Sequence, residues 1–192
     1  MIITEETPKG LQQFDLPSRM LKDRIIMVSG EVEQRMATEI TQELLYLNGI
    51  DSTKPITMYV NTPGGSVTDG LMIVDTMNFI SAPVYTVVVG MAASMGSVIA
   101  SSGEKHHRYM LTHARYMIHQ PSGGAQGKQT DIEITAEQIL KTRKELNEIL
   151  AANSGQPIEK IQQDTEHDYW LSSEETEKYG FVDAILDSIT NI

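Results

Sequence analysis

The strongest constraint on this chain is a rhythm of strand, helix and strand written in β-branched residues. Ile56-Thr57-Met58-Tyr59-Val60 reads as a strand ending at the turn Pro63-Gly64-Gly65, and residues 67–80 read as a helix. Pro83 breaks the chain there, and residues 84–89 form the next apolar strand. An earlier strand over 24–28 stops at Gly30. The segment 31–47 then sets Val32, Met36, Ile40, Leu44 and Leu45 at the spacing of an amphipathic helix. Strands of this kind alternating with helices pack as βαβ units around a mainly parallel sheet. At 192 residues the chain suffices for one such domain with a real core and is short for two, so a single α/β domain over 18–192 is expected.

Residues 1–17 mix Thr, Glu, Pro, Gly and Gln with few apolar anchors, the composition of a mobile N-terminal arm. Downstream, Ser122-Gly123-Gly124-Ala125-Gln126-Gly127 is too rich in glycine for a packed interior strand. Thr130 and Glu133 have the form of a capping box, and Ile132, Ala136, Ile139, Leu140, Leu146, Ile149 and Leu150 give the apolar positions of a long helix over 131–152. Such a helix rises roughly 30 Å, enough to project beyond a compact domain. A second capping box, Ser172 with Glu175, opens a short helix that Gly180 ends, and an apolar strand over 181–186 closes the domain.

Composition removes several classes of function. The formal net charge of -11, with Lys and Arg dispersed, argues against a nucleic-acid partner, which needs a basic face. With no cysteines there is neither a disulfide framework nor a thiolate metal site, which suits a reducing compartment. The first residues lack the basic start and apolar run of a signal peptide, and no stretch reaches the ~18 apolar residues of a membrane span. A cytoplasmic protein without membrane association is expected.

Three short segments carry chemistry: Ala92-Ala93-Ser94-Met95-Gly96, Met117-Ile118-His119-Gln120-Pro121 and Asp164-Thr165-Glu166-His167-Asp168. A serine hydroxyl is a weak nucleophile until an imidazole takes its proton, and the imidazole needs a carboxylate to fix its tautomer. Ser94 falls at the third strand-to-helix junction, and ligand chemistry in such folds gathers at strand carboxyl ends. The elbow Gly-x-Ser-x-Gly is not met, because Ala92 stands two before the serine, and the order Ser, His, Asp differs from Ser, acid, His. A lipase or esterase of that type is therefore disfavoured.

At the start of a helix Ser94 lies beside amides without intrahelical partners, so the Met95 amide is a candidate oxyanion donor. Gly65, in a turn with no side chain to obstruct approach, is the candidate for the second donor. Both residues also have an ordinary reading, as a packed helix start and a turn glycine. Among five histidines, His119 has the distinctive context of an apolar stretch before it and Pro121 after it. His106 and His107 would point to opposite faces of a strand, which disfavours a metal pair. Asp164 and Asp168 compete as the acid, and the residues alone do not separate them, although Tyr169-Trp170-Leu171 could bury Asp168. An extended peptide can bind as an added strand, and the backbone edges that flank the nucleophile are Gly65, Ser66 and Val67 on one side and Ser122, Gly123 and Gly124 on the other.

These motifs, together with Asn61-Thr62-Pro63-Gly64-Gly65, Thr130-Asp131-Ile132-Glu133-Ile134 and Tyr179-Gly180-Phe181-Val182-Asp183, stand in the order and approximate spacing of one family. From about residue 14 to about residue 186 the chain resembles the ClpP proteolytic subunits of ATP-dependent Clp proteases. The resemblance implies a crotonase-like β/α spiral whose handle, a strand plus a long helix at about 120–152, interlocks two rings. It implies a serine endopeptidase without cofactor or metal, in which Ser94 is the nucleophile, His119 the base, Asp168 rather than Asp164 the acid, and the Gly65 and Met95 amides hold the oxyanion. The implied partners are copies of the chain in two stacked heptameric rings, a tetradecamer, and an AAA+ Clp unfoldase that spends ATP to feed in unfolded polypeptide. The unfoldase would dock on Thr57, Tyr59, Phe79, Val87, Tyr109, Leu111 and Leu186. The rival readings are a crotonase-type acyl-CoA enzyme, in which the triad would be idle, and a weakly active paralogous subunit that needs a second ClpP-type subunit.

The chain departs from the family's pattern at four points. Ser122 replaces a usual leucine, Thr57 replaces a common aromatic, and the arm around Leu11 and Gln12 lacks the usual basic and acidic signature, so altered cleft preference and activator binding are expected. His167 stands where an arginine before the aspartate takes part in ring-to-ring contacts. Because a histidine can gain or lose a proton near neutrality, ring pairing is expected to depend on pH. Sedimentation at about pH 6 and about pH 8 should show different assemblies for the wild type and one assembly for His167→Arg. The same assemblies in both proteins would contradict this.

Overall fold

In a computed structural model, which describes residues 1–8 and 10–189, the chain forms a mixed α/β fold around a seven-stranded, mostly parallel sheet. β1 (Ile2–Thr7) and β2 (Gly10–Asp15) pair antiparallel as a separate hairpin. The arm expected over 1–17 thus carries regular structure: Ile3 lies opposite Phe14, while Ile2 and Leu11 face Asp15 and Glu6 and stay exposed. The hairpin is tied to α1 (Leu16–Lys22), where Lys22 Nζ sits 3.5 Å from the Phe14 ring centroid and Arg19 pairs with Glu5.

Three β/α units follow: β3 (Ile25–Ser29) with α2 (Gln34–Ile50), β4 (Ile56–Thr62) with α3 (Val67–Phe79), and β5 (Val84–Ala93) with α4 (Met95–Ser101). The strands pair in parallel in that order. Alternate residues on one face, among them Ile26, Val28, Met58, Val60 and Val88, are buried in one cluster with Ile40 and Leu44 of α2 and Ile73 and Val74 of α3. Each such side chain contributes ~1.5–3 kcal/mol of burial. Among the described residues, the opposite face carries a small cluster of Val87, Tyr109 and Leu186, with Tyr59, Val89 and Ala184 half-buried beside it.

The chain continues through β6 (Arg108–Leu111), β7 (Arg115–Ile118), α5 (Gln129–Ser154), α6 (Ile158–Asp164), β8 (Tyr169–Leu171), α7 (Ser173–Tyr179) and β9 (Ala184–Leu186). β6 pairs with the first half of β5 and β7 with its second half, while β9 extends the sheet beyond β6. α5 spans 26 residues, and its buried positions, Leu146, Asn147 and Leu150, all lie in the C-terminal half. Ile134 and Leu140 are exposed, and the N-terminal half contributes nothing to the buried core. Two local expectations fail there. The helix starts at Gln129 with Lys128 at the cap, so Thr130 is already inside it, and Glu133 instead accepts from Gln129 Nε2 at 3.0 Å. Residues 119–128 form no strand, because their backbone meets no neighbouring strand to make a ladder. The capping box of Ser172 and Glu175 and the left-handed cap at Gly180 form as read. The last strand is limited to Ala184–Leu186, since Phe181 and Val182 turn into the core.

A buried ion pair closes this end of the domain. Arg108 donates through Nε to Asp183 Oδ2 at 2.9 Å, through Nη2 to Asp183 Oδ1 at 2.6 Å, and through Nη1 to Asn153 O at 2.6 Å. Burial pushes the Asp183 carboxyl up, but the hydrogen bonds from the Arg108 side chain and amide outweigh it and hold the group below the ordinary carboxylate range. The unfolded chain therefore takes up this proton more readily than the folded one. The contribution is complete above about pH 4 and is lost as pH falls through the lower folded value. Asp183→Asn is expected to cost ~3–5 kcal/mol near neutrality, by leaving a buried guanidinium unpaired. Denaturant unfolding should show that the gap to wild type narrows in acid, and a gap that does not change with pH would contradict this.

Candidate active site

Two strand registers deliver the three side chains. β7 runs parallel to β5 with Ala93 opposite Met117, and antiparallel to β8 with Ile118 opposite Tyr169. One residue past those pairs stand Ser94, His119 and Asp168. His119 Nε2 lies 2.8 Å from Ser94 Oγ, and His119 Nδ1 lies 2.8 Å from Asp168 Oδ1. A carboxylate only accepts, so the consistent tautomer has Nδ1–H donating to Asp168 and Nε2 accepting from the serine hydroxyl.

The nucleophile sits on strained backbone. Ser94 has φ 54 and ψ -123, between the last residue of β5 and the first of α4. A non-glycine residue in such a conformation costs ~1–3 kcal/mol, which its surroundings must hold in place. Ser94 N donates to Met117 O at 2.9 Å, and the Ser94 carbonyl accepts from Ser97 N at 3.0 Å and Ser97 Oγ at 2.6 Å. Beneath them the buried Tyr116 hydroxyl donates to Ser97 O at 2.5 Å. The sharp turn of a nucleophile elbow is thus present without its glycine pattern.

Gly64 was not singled out in the sequence, yet it makes the close approach. A Cβ there would stand 2.6 Å from Ser94 Cβ and 2.9 Å from Met95 N. Gly65, at φ 152, is pressed instead against Val32, whose carbonyl oxygen would be 2.2 Å from an added Cβ. The doubled glycine after Pro63 is the sequence signal for this close approach. The turn is pinned by Val32 N donating to Gly64 O and Ser66 N donating to Val32 O, both at 2.8 Å. Of the expected edge, the Ser66 amide is therefore already engaged, and Val67 opens α3. On the other side Ser122, Gly123 and Gly124 have no regular structure, and Gly123 lies against Ile139 of α5. A cavity of about 560 Å³ opens here, lined by residues 119–123, Ile139 and residues 166–168.

The acid that the residues alone left open is separated by geometry. Asp164 accepts from the Tyr179 hydroxyl at 2.6 Å and from Lys160, away from His119. Burial raises its affinity for a proton, but the hydrogen bonds from Lys160 and Tyr179 prevail and hold it low, while burial and Asp164 together push the Tyr179 hydroxyl up. Asp168 is not buried by Tyr169 and Trp170 as the sequence suggested: its side chain is 60% exposed, and Trp170 is exposed as well. β8 is three residues paired to β7 at the sheet's edge, and its successive side chains alternate faces, so Tyr169 and Trp170 do not close together over Asp168.

Of the residues expected to dock an activator, Tyr59, Val87, Leu111 and Leu186 line a cavity of about 280 Å³ with Ile189. Tyr109 packs on Val87 and Leu186, and Thr57 lies two residues before Tyr59 on the same strand face. Phe79, at the end of α3, is exposed and does not line that cavity. Among the described residues, no group of three His, Cys, Asp or Glu side chains is arranged to hold a metal ion, and no helix is long and apolar enough to cross a membrane.

A serine bonded to an imidazole that is bonded in turn to a carboxylate is the arrangement by which serine hydrolases activate their nucleophile. The family model described as Clp protease matches residues 8–189. A relative from Leuconostoc citreum is 60% identical over 186 residues, covering 96% of this chain and 93% of its own. One from Streptococcus gordonii is 58% identical over 187 residues, with 96% and 95% covered. One from Streptococcus pyogenes is 57% identical over 189 residues, with 97% and 96% covered. Each of the three is named an ATP-dependent Clp protease proteolytic subunit. The chain belongs to the Clp protease family.

Proposed function

We propose that the chain is a serine endopeptidase, the proteolytic subunit of an ATP-dependent Clp protease, and that Ser94, His119 and Asp168 perform the cleavage. The observation that carries this reading is the pair of 2.8 Å contacts that links Ser94 Oγ to His119 and His119 to Asp168. As Ser94 Oγ attacks the peptide carbonyl carbon, its proton passes to His119 Nε2, and Asp168 steadies the imidazolium. The tetrahedral oxyanion is received by the amides of Met95 and Gly65, each such donor being worth ~2.7–4 kcal/mol. His119 then gives its proton to the departing amine, leaving an acyl ester on Ser94. A water molecule, deprotonated by His119, opens that ester and restores the serine. Extended substrate pairs with the backbone at Gly65 and Val67 and at Ser122, Gly123 and Gly124, which makes binding tolerant of side chains.

The assembly belongs to the same reading: two stacked rings of seven, joined through α5, with an AAA+ unfoldase docked over Tyr59, Val87, Leu111 and Leu186. Exposed Leu140 and Ile134 on α5, and Phe79 on α3, support contact with further copies. The sparsely covered second face of a parallel sheet supports a partner there, since such sheets are ordinarily covered on both sides. A cysteine-free chain suits the cytoplasm. No cofactor enters the hydrolysis.

Hydrolysis of a short fluorogenic peptide by the purified assembly should fall at least ~10³-fold in Ser94→Ala while the assembly size stays the same. Activity within tenfold of wild type in that variant would contradict the assignment.

A further inference from the structure

We propose that Gln120 is a positioning residue of this apparatus, a clasp that holds the histidine-bearing and aspartate-bearing segments as one body. The inference rests on the triad reading above. His119 and Asp168 come from segments 49 residues apart, and the Asp168 side chain is 60% exposed. Burial therefore does little to fix its carboxylate, and the backbone that leads to it must do so. Gln120, adjacent to His119, donates its amide N–H to Thr165 O at 2.6 Å and its side-chain Nε2 to Glu166 O at 2.9 Å. Both acceptors lie on the peptide links that run into Asp168.

The far side of that segment is anchored independently. Thr165 is fully buried, and its hydroxyl donates to Ile161 O at 2.7 Å and lies 3.1 Å from Asn147 Oδ1. The Glu166 carboxylate accepts from Arg143 Nη2 of α5 at 2.5 Å. The 165–166 link is thus fixed to α5 and α6, and Gln120 fixes the His119 segment to the link. Without the carboxamide, the two segments keep the shared backbone bond but lose the second point that prevents rotation about it. A displacement of about 1 Å between reacting groups can cost ~100-fold in rate, so a bond of modest stability has large kinetic leverage.

The test measures peptide hydrolysis by the full assembly in wild type, Gln120→Ala, Gln120→Glu and Ser94→Ala. Gln120→Ala should keep the wild-type assembly and a KM within about twofold, while kcat falls about 10- to 100-fold. Gln120→Glu gives a readout that a merely structural role would not move. A protonated carboxyl can donate to Glu166 O as the amide does, and an ionised one cannot, so kcat relative to wild type should fall as pH rises from about 5 to about 8. The other titratable or charged groups around this side chain are His119, Glu166, His167 and Asp168, with Arg143 from α5. Both proteins share them, so the ratio removes their common effect. A kcat within twofold of wild type for Gln120→Ala, or a ratio that is flat with pH for Gln120→Glu, overturns the proposal. Where Gln120→Ala does not assemble, the pH ratio decides. Activity that survives Ser94→Ala means that the triad reading itself has failed. Activity lost there but unchanged in the Gln120 variants refutes the clasp alone.

Discussion

The register of β7 between β5 and β8 is the constraint on which the site depends, because a one-residue slip in a strand sends every side chain to the opposite face. With Ala93 opposite Met117 and Ile118 opposite Tyr169, the residues one step further fall within hydrogen-bonding reach of one another. β7 and β8 are short, of four and three residues, so ladder bonds alone hold them weakly. Burial of Tyr116, Met117, Ile118 and Leu171 adds the apolar anchoring that fixes which register is occupied.

That register is coupled to a strained turn. Ser94 sits at positive φ because the chain must reverse from β5 into α4 while its amide bonds to Met117 and its carbonyl bonds to Ser97. The small side chains around it are the condition for this geometry. Gly64 touches Ser94 Cβ with no room for a methyl, and the stack of Tyr116, Phe181 and Tyr179 beneath, with ring centroids 5.1 and 4.7 Å apart, gives the turn a rigid floor. The same packing that stores the strain therefore presents the hydroxyl to His119.

Much of this was legible in the sequence. The β/α units over residues 25–101 announce themselves through Val and Ile runs closed by Gly30, Pro63 and Pro83, because burial on one sheet face demands that pattern. Ser94 and His119 were legible as strand-end residues in apolar surroundings. The remainder is governed by contacts between distant residues. Asp168 and Asp164 look alike locally, and distant contacts separate them: the pairing of Tyr169 with Ile118 brings Asp168 to His119, while Tyr179 and Lys160 engage Asp164. The hairpin of residues 2–15 is hidden by its polar composition, and it depends on α1 through Arg19 and Lys22. Thr130 had the spacing of a capping box, but the helix begins at Gln129. Local pattern alone does not decide which of several polar residues before a helix becomes its cap.

The claim that this register creates an activated serine is tested most directly by treating the assembled protein with a fluorophosphonate and mapping the modified peptide. Phosphonylation on Ser94 that is lost in His119→Ala is the predicted result. An adduct on a different residue, or labelling of Ser94 that proceeds equally fast without His119, would contradict it.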